Sequence, residues 1–147
     1  MEELQKLRQL GLSLVYVGCE TGDDLVLQKI NKGETWQSSL EALLKLQQAD
    51  IKRSVMILNG LGGEKYSEPH AVHSAQLMNE TQPDFLATLV LSFPKGAERF
   101  QQGFDGEFQA LDTPQLIQEM EIFLSHLQLE KTVFRSDHAS NYLVLKG

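Results

Sequence analysis

Three strand-like segments alternate with helix-like segments, and this rhythm constrains the fold more than any other feature of the sequence. The segments are rich in Val, Ile and Leu, and each is closed by Gly or Pro; they are LSLVYV (residues 12–17), IKRSVMILNG (51–60) and DFLATLVLSF (84–93). Each gap between them is long enough for a helical crossover. The alternation predicts βαβ units and a parallel sheet, which is an α/β fold.

The segments between the strands carry helix patterns with start and stop signals. The predicted helices are residues 1–10, a short helix from Asp23 that Gly33 ends, a helix capped by Thr35 with a core leucine stripe, residues 67–79 and residues 113–127. Residues 95–112 contain several turn formers and predict an irregular excursion. The tail predicts a short strand, a polar turn and another extended segment.

Three parallel strands leave two uncovered sheet edges, and the first helix would naturally follow an earlier strand. We therefore expect the C-terminal part of a larger α/β barrel or sheet. A small complete domain with covered edges is the alternative.

Composition narrows the class of protein. Thirteen Lys and Arg stand against 20 Asp and Glu, a net charge of −7, which argues against nucleic-acid binding. The N-terminus resembles no signal peptide, and the apolar runs are shorter than a membrane span. We expect a cytoplasmic protein without membrane association. The single cysteine, Cys19, excludes an internal disulfide and any site built from several thiolates of this chain.

The carboxyl ends of parallel strands are where such folds bind ligands. Here they read Gly-Cys-Glu-Thr-Gly after the first strand, Asn-Gly-Leu-Gly-Gly after the second and Leu-Ser-Phe-Pro after the third. Glu20 is suited to accept two hydrogen bonds from a vicinal diol, as acidic residues do for a ribose. The Gly-Leu-Gly-Gly run matches neither a dinucleotide nor a P-loop fingerprint.

These segments resemble the radical S-adenosylmethionine (radical SAM) superfamily. YVGCETGDDLVLQKINKGET resembles its fourth-strand segment, DIKRSVMILNGLGGE its fifth strand and glycine loop, and PDFLATLVLSFPKG its sixth strand. The closing FRSDHASNYLVLKG resembles the C-terminal signature of an uncharacterised bacterial subgroup. The resemblance implies the C-terminal half of a (β/α)6 partial TIM-type barrel over residues 1–108. Residues 109–147 would be a C-terminal helix and extended tail packed on the barrel.

The resemblance also implies cofactors and site residues. In the full-length parent, a 4Fe-4S cluster and SAM would yield a 5′-deoxyadenosyl radical; the substrate is unknown. By position, Glu20 matches the residue that contacts the SAM ribose, and Lys32 the residue that pairs with the methionyl carboxylate. The stretch from Asn59 through Gly60 and Gly62 would line the SAM site beside the adenine and the methionyl group. The main chain at Leu91 would line the adenine edge.

One departure from the family pattern limits what this chain does alone. The family holds its cluster with a Cys-x3-Cys-x2-Cys loop after the first strand, and this sequence has only Cys19, after the fourth. We expect the chain alone to bind neither cofactor nor metal and to be inactive, with catalytic residues unknown. Cys19 itself is interpreted as an apolar filler or a half-exposed thiol.

Other interpretations stay open. The chain could be a stand-alone α/β binding module, and the isolated chain could form a homodimer through exposed sheet edges. A complete small enzyme using His138 and Glu20 is the weakest alternative. His70 and His73, at helical i, i+3 spacing, are interpreted as a surface or partly packed pair. Residues 136–141 are either a substrate-facing segment or a capped turn.

Overall fold

The described part of the protein is a five-stranded sheet with helices packed on one face. The computed structural model describes residues 2–92, 98–136 and 145–146. The strands are β1 (Leu14–Glu20), β2 (Lys52–Asn59), β3 (Phe85–Val90), β4 (Val133–Ser136) and β5 (Leu145–Lys146). They lie in chain order across the sheet; the first four are parallel, and β5 is antiparallel to β4.

Helices fill the intervals between the strands and confirm the predicted α/β alternation. They are α1 (Glu2–Gln9), α2 (Asp24–Lys29), α3 (Trp36–Gln48), α4 (Gly63–Thr81), α5 (Glu98–Gly103) and α6 (Thr113–His126). Capping boxes start two of them, one at Thr35 with Ser38 and one at Asp112 with Gln115, which satisfies backbone N–H groups of each first turn. In the described part of the chain, no helix combines the length and apolarity needed to cross a membrane.

The parallel sheet has one strand more than the three strand-like segments predict. Val133 lies beside Phe85, and Arg135 beside Ala87, so that the short strand of the tail continues the sheet. Helix α6 forms the crossover that returns the chain to this edge. The pattern of residues 133–136 is too short to distinguish a parallel sheet strand from an extended tail.

Alternate residues of the strands point toward the helices and form the core. Val55, Ile57 and Leu86 are almost fully buried there, against apolar side chains of α4 and α6 such as Leu77 and Phe123. This alternation follows from the two-residue period of a strand. Burial on this side fixes the register of the sheet and so positions the strand ends.

The opposite face of the sheet is open. Tyr16 is 80% exposed, Gly18 and Arg135 are exposed, and Met56 and Leu89 are half-buried. A cavity of about 620 Å³ lies on this face. A sheet covered by helices on one face and open on the other is the arrangement of an incomplete barrel wall.

The excursion after β3 is more ordered than the sequence predicts. Residues 98–103 form α5, and three phenylalanines pack together with Tyr66; they are Phe100, Phe104 and Phe108, with ring centroids 4.5–5.1 Å apart. Their aromatic contacts hold the excursion against the ends of the strands.

Candidate functional site

The end of β1 brings together two residues that the sequence separates. A β-bulge between Gly18 and Glu20 interrupts the ladder, and Glu20 adopts a left-handed backbone conformation with φ of 68°. Its Oε1 atom lies 3.6 Å from Nζ of Lys32, and the two side chains are 28% and 30% exposed. The two residues predicted to hold the ribose and the carboxylate are therefore neighbours at one strand end.

Lys32 reaches this position because of how α2 ends. Asp23 caps the start of α2, accepting a hydrogen bond from the Val26 amide at 3.1 Å. At the other end Asn31 takes a left-handed conformation, and the amide of Lys32 donates to the carbonyl of Leu27 at 3.1 Å. This Schellman-type ending turns the chain back toward β1. It places the ammonium group beside the carboxylate of Glu20.

The pair is loosely held and chemically suited to a ligand. A half-exposed ion pair at this distance contributes at most about 1 kcal/mol to folding stability. Its carboxylate offers acceptors for hydroxyl groups, and its ammonium group donates to a carboxylate or phosphate. The left-handed backbone of Glu20 costs about 1 kcal/mol or more, a type of strain found at functional sites. A ligand with hydroxyl and carboxylate groups therefore finds both partners here.

The glycine loop after β2 is held by the protein itself. The side chain of Asn59 is buried toward the helices and donates to Oε1 of Glu119 at 2.9 Å. The amide of Gly60 donates to the same oxygen at 2.7 Å. Any ligand contact at Asn59 or Gly60 would thus come from the remaining main-chain atoms, not from the Asn59 side chain.

The glycines of this loop are explained by packing. Gly60 has φ of 91°, and a Cβ atom there would lie 3.0 Å from Leu116. A Cβ on Gly62 would lie 2.8 Å from the carbonyl oxygen of Tyr66. Helix α4 begins at Gly63, earlier than the predicted residue 67, with Tyr66 forming a non-helical kink. Only glycine lets the loop approach α4 and α6 this closely.

Leu91 lies next to the glycine loop. Its amide donates to the carbonyl of Asn59 at 2.9 Å, which continues the β2–β3 pairing by one residue. Its half-buried side chain packs with Leu61 and Phe104. The main chain at Leu91 and the loop at Gly60 therefore form one continuous wall.

Glu119 is the site residue that the sequence analysis missed. It is only 2% exposed, and besides Asn59 and Gly60 it accepts a hydrogen bond from Ser67 Oγ at 2.6 Å. His70 Nε2 lies 3.6 Å from its Oε1 atom. The available signal was its position in α6. Glu119 falls on the stripe of buried residues that also contains Leu116, Met120 and Phe123, where a carboxylate needs partners.

The two histidines of α4 serve as hydrogen-bonding links. His70 is buried, whereas the sequence analysis interprets the two histidines as a surface or partly packed pair. The Nδ1 atom of His70 lies 2.6 Å from Thr21 Oγ1, and its Nε2 atom lies 2.9 Å from the Leu58 carbonyl oxygen. His73 is half-exposed, with Nδ1 2.6 Å from Asp23 Oδ1. Among the described residues, no group of three His, Cys, Asp or Glu side chains is placed to hold a metal ion.

Cys19 points away from the open face. It is 4% exposed and belongs to the apolar core beneath the sheet, which agrees with its interpretation as a filler. Burial raises the pKa of its thiol to about 11, while Lys32 acts in the opposite direction. A buried, protonated thiol on the helix side is unsuited to bind iron.

The residues of this chain do not fit an iron–sulfur cluster. Such a cluster needs several thiolates, and the chain has one cysteine, which is buried. The pair at the end of β1 offers the acceptor and the cation that the ribose hydroxyls and the carboxylate of SAM would need. His138 and the segment 137–141 lie outside the described residues.

Comparisons with known proteins place this geometry in a family. The sequence model of the radical SAM superfamily matches residues 1–75, half of the chain. The structure is similar to that of the archaeal Methanocaldococcus infernus Elp3 with an N-terminal deletion, with a TM-score of 0.73 and 17% identity. The match covers 94% of this chain and 33% of the Elp3 chain, so this chain spans about a third of that length. No curated protein matches the sequence. The sheet is thus a partial barrel wall of the kind predicted, and this chain belongs to the radical SAM superfamily.

Proposed function

We propose that this chain forms the C-terminal half of the barrel of a radical SAM enzyme and supplies one side of its SAM site. The observation that carries the proposal is the Glu20–Lys32 pair, with its oxygen and nitrogen 3.6 Å apart at the end of β1. Family membership supports SAM as the ligand. The partial barrel supports a longer parent, because among the described residues β1 is an edge strand and one face of the sheet is open.

Within this proposal, each residue has a defined task. Glu20 accepts hydrogen bonds from the two ribose hydroxyls, and Lys32 pairs with the methionyl carboxylate. On binding, Lys32 would exchange the carboxylate of Glu20 for that of the ligand, and Glu20 would exchange the ammonium group for neutral hydroxyl donors. The wall formed by Gly60, Gly62 and the main chain at Leu91 borders the adenine, and Glu119 holds that wall in place from behind.

The cluster ligands come from outside these 147 residues. A Cys-x3-Cys-x2-Cys loop on an N-terminal half of the barrel would hold the cluster, which would supply the electron that splits SAM into methionine and the 5′-deoxyadenosyl radical. The gene that encodes this chain provides the first test. The reading frame before Met1 should encode that cysteine motif within roughly 200 residues, about one further domain. A reading frame without it would contradict the enzymatic proposal.

The site itself is tested by SAM affinity. In the longer protein, Glu20→Ala should weaken SAM binding by about 1–3 kcal/mol, the loss of charge-assisted hydrogen bonds, as measured by isothermal titration calorimetry. Glu80→Ala removes the same charge from an exposed position of α4 and serves as the matched control. Unchanged affinity in Glu20→Ala would remove Glu20 from the ribose role.

A second candidate is a binding module that pairs through its sheet edge. Strand β1 has a neighbour on one side only among the described residues, and Tyr16 is exposed beside that edge. Unpaired edges recruit strands of other chains, including a second copy. Light scattering after size-exclusion chromatography distinguishes the candidates for the chain alone. A dimer supports edge pairing, and a monomer at all concentrations counts against it.

A further inference from the structure

One register row across the open face of the sheet has an unusual composition. Gly18 on β1 lies beside Met56 on β2, Met56 beside Ala87 on β3, and Ala87 beside Arg135 on β4. Residues in one row project from the same face of a sheet. The row therefore alternates small and large residues up to Arg135 and continues to Lys146 on β5, so that it ends in two basic residues. The two small residues leave room above the sheet, and the cavity of about 620 Å³ lies there.

The cavity has one charged group. Besides the row, its lining includes Tyr16, Ser54 and Leu89, and within the described residues Arg135 is its only charged side chain. Ligand sites are commonly built this way, with an apolar surface and a few polar groups that fix orientation. A guanidinium group binds carboxylate or phosphate oxygens through two parallel hydrogen bonds.

Arg135 differs from the buried arginine of the same sheet. Arg53 on β2 points toward the helices, where its guanidinium donates to the carbonyls of Thr81 at 2.7 Å and Gln82 at 2.8 Å. Those bonds join elements of the fold. Arg135 is exposed on the open face, and its described register neighbours, Ala87 on β3 and Lys146 on β5, carry no negative charge. Its charge is therefore available to a ligand.

The distance between Arg135 and the Glu20–Lys32 pair limits the length of a ligand that can lie between them. A Cβ atom on Gly18 would lie 3.9 Å from Oε1 of Glu20, so the pair borders the first position of the row. Three strand spacings separate β1 from β4, which is about 14 Å. A molecule at Arg135 can thus lie over Met56 and Ala87 and reach toward the pair without competing for it.

We propose that the open-face cavity binds a substrate with an apolar body and an oxyanion, the oxyanion at Arg135 and the body over Met56 and Ala87. This inference rests on the proposed function, because it takes the Glu20–Lys32 pair as the SAM side of the same barrel. It assigns the substrate class, a carboxylate or a phosphate monoester, that the family membership leaves open.

The test uses two dyes with similar aromatic bodies, titrated by fluorescence into the 147-residue chain. 8-Anilinonaphthalene-1-sulfonate carries an anionic group, and N-phenyl-1-naphthylamine does not. Arg135→Gln should weaken binding of the sulfonate dye about tenfold and leave the neutral dye within twofold. Lys45→Gln, an equal charge change on the exposed side of α3, should change neither. Equal binding of the sulfonate dye to Arg135→Gln and the unmodified chain would overturn the proposal.

Two further arms control for folding and for the cofactor. Ala87→Leu fills the cavity and should weaken both dyes, and Arg135→Lys should retain part of the sulfonate binding. Octanoate or octyl phosphate should displace the sulfonate dye where 1-octanol does not; equal displacement by all three would contradict an oxyanion site. In the longer protein, SAM affinity should be unchanged in Arg135→Gln. A loss of SAM affinity in Arg135→Gln would assign Arg135 to the cofactor site and contradict the substrate role. Unchanged SAM affinity in Glu20→Ala would contradict only the SAM role of Glu20.

Discussion

The ends of β1 and β2 have similar glycine-rich sequences, and the structure gives them different tasks. At the end of β1, Glu20 is strained and loosely paired with Lys32, and its carboxylate is partly exposed. At the end of β2, Asn59 and Gly60 are tied by short hydrogen bonds to the buried Glu119. A glycine-rich strand end is therefore not by itself a ligand site. The accessible, loosely paired groups are at the end of β1, and the buried, tightly hydrogen-bonded groups are at the end of β2.

The largest expected effect is the loss of the Glu119 carboxylate. Glu119→Ala removes the acceptor of the Gly60 amide and of the part-buried Ser67 hydroxyl, and it leaves the Asn59 side chain only the Leu116 carbonyl at 3.5 Å. The free energy of unfolding should fall by about 3–4 kcal/mol. Glu119→Gln keeps an acceptor oxygen and should cost less than half of that. Glu20→Ala should change stability by at most about 1 kcal/mol. Urea denaturation measures the free energy of unfolding of all three variants. Equal losses in Glu20→Ala and Glu119→Ala would contradict the difference proposed between the two strand ends.

The buried thiol beside Glu20 predicts a pH dependence. The pKa of Cys19 rises from 9.0 to about 11 on folding. Above pH 9 the unfolded chain loses this proton while the folded chain keeps it, so stability falls as the pH rises toward 11. The loss is about 2–3 kcal/mol. It should appear as a narrowing difference in unfolding free energy between the unmodified chain and Cys19→Ala, which lacks the thiol, measured from pH 8 to 11. A constant difference would show that the thiol is not buried.

The ends of β1 and β2 should also differ in how well their glycines tolerate substitution by alanine. Gly62→Ala places a Cβ atom 2.8 Å from the Tyr66 carbonyl oxygen and should destabilise the protein by about 1–3 kcal/mol. Gly18→Ala meets no atom closer than 3.9 Å and should lie within about 0.5 kcal/mol of the unmodified chain. Thermal unfolding compares the pair. Equal costs would contradict the packing explanation for the loop after β2.

The smallest expected effect is a gain in stability. Glu20→Gly relieves the left-handed backbone at φ of 68° and should raise the free energy of unfolding by up to about 1 kcal/mol. Asp50 also has a positive φ, of 60°, in the turn before β2, so Asp50→Gly is the control for backbone relief away from the site. A destabilised Glu20→Gly would mean that the ion pair with Lys32 outweighs the strain.

Much of this arrangement is readable from the sequence, because it depends on local patterns. The strand-helix alternation predicts the parallel sheet. The resemblance of the segment after β1 to the radical SAM family implies Glu20 and Lys32 as ligand contacts, which stays a prediction. The role of Glu119 is not readable, because it depends on how α6 packs against α4 and β2. The same holds for β4, where four residues give too weak a pattern to specify a sheet neighbour. In the sequence, Gly60 and Gly62 suggest that a ligand approaches the backbone. In the structure, glycine is needed at these positions because Leu116 and Tyr66 pack closely against them.

The most direct measurement for the central claim is SAM binding by Glu20→Gly in the longer protein, with thermal stability measured on the same sample. The claim is that Glu20 is held in strain for a ligand and not for the fold. We predict a protein that is at least as stable as the unmodified one and binds SAM about tenfold or more weakly, equivalent to about 1.4 kcal/mol. A variant that binds SAM as tightly as the unmodified protein would contradict the claim.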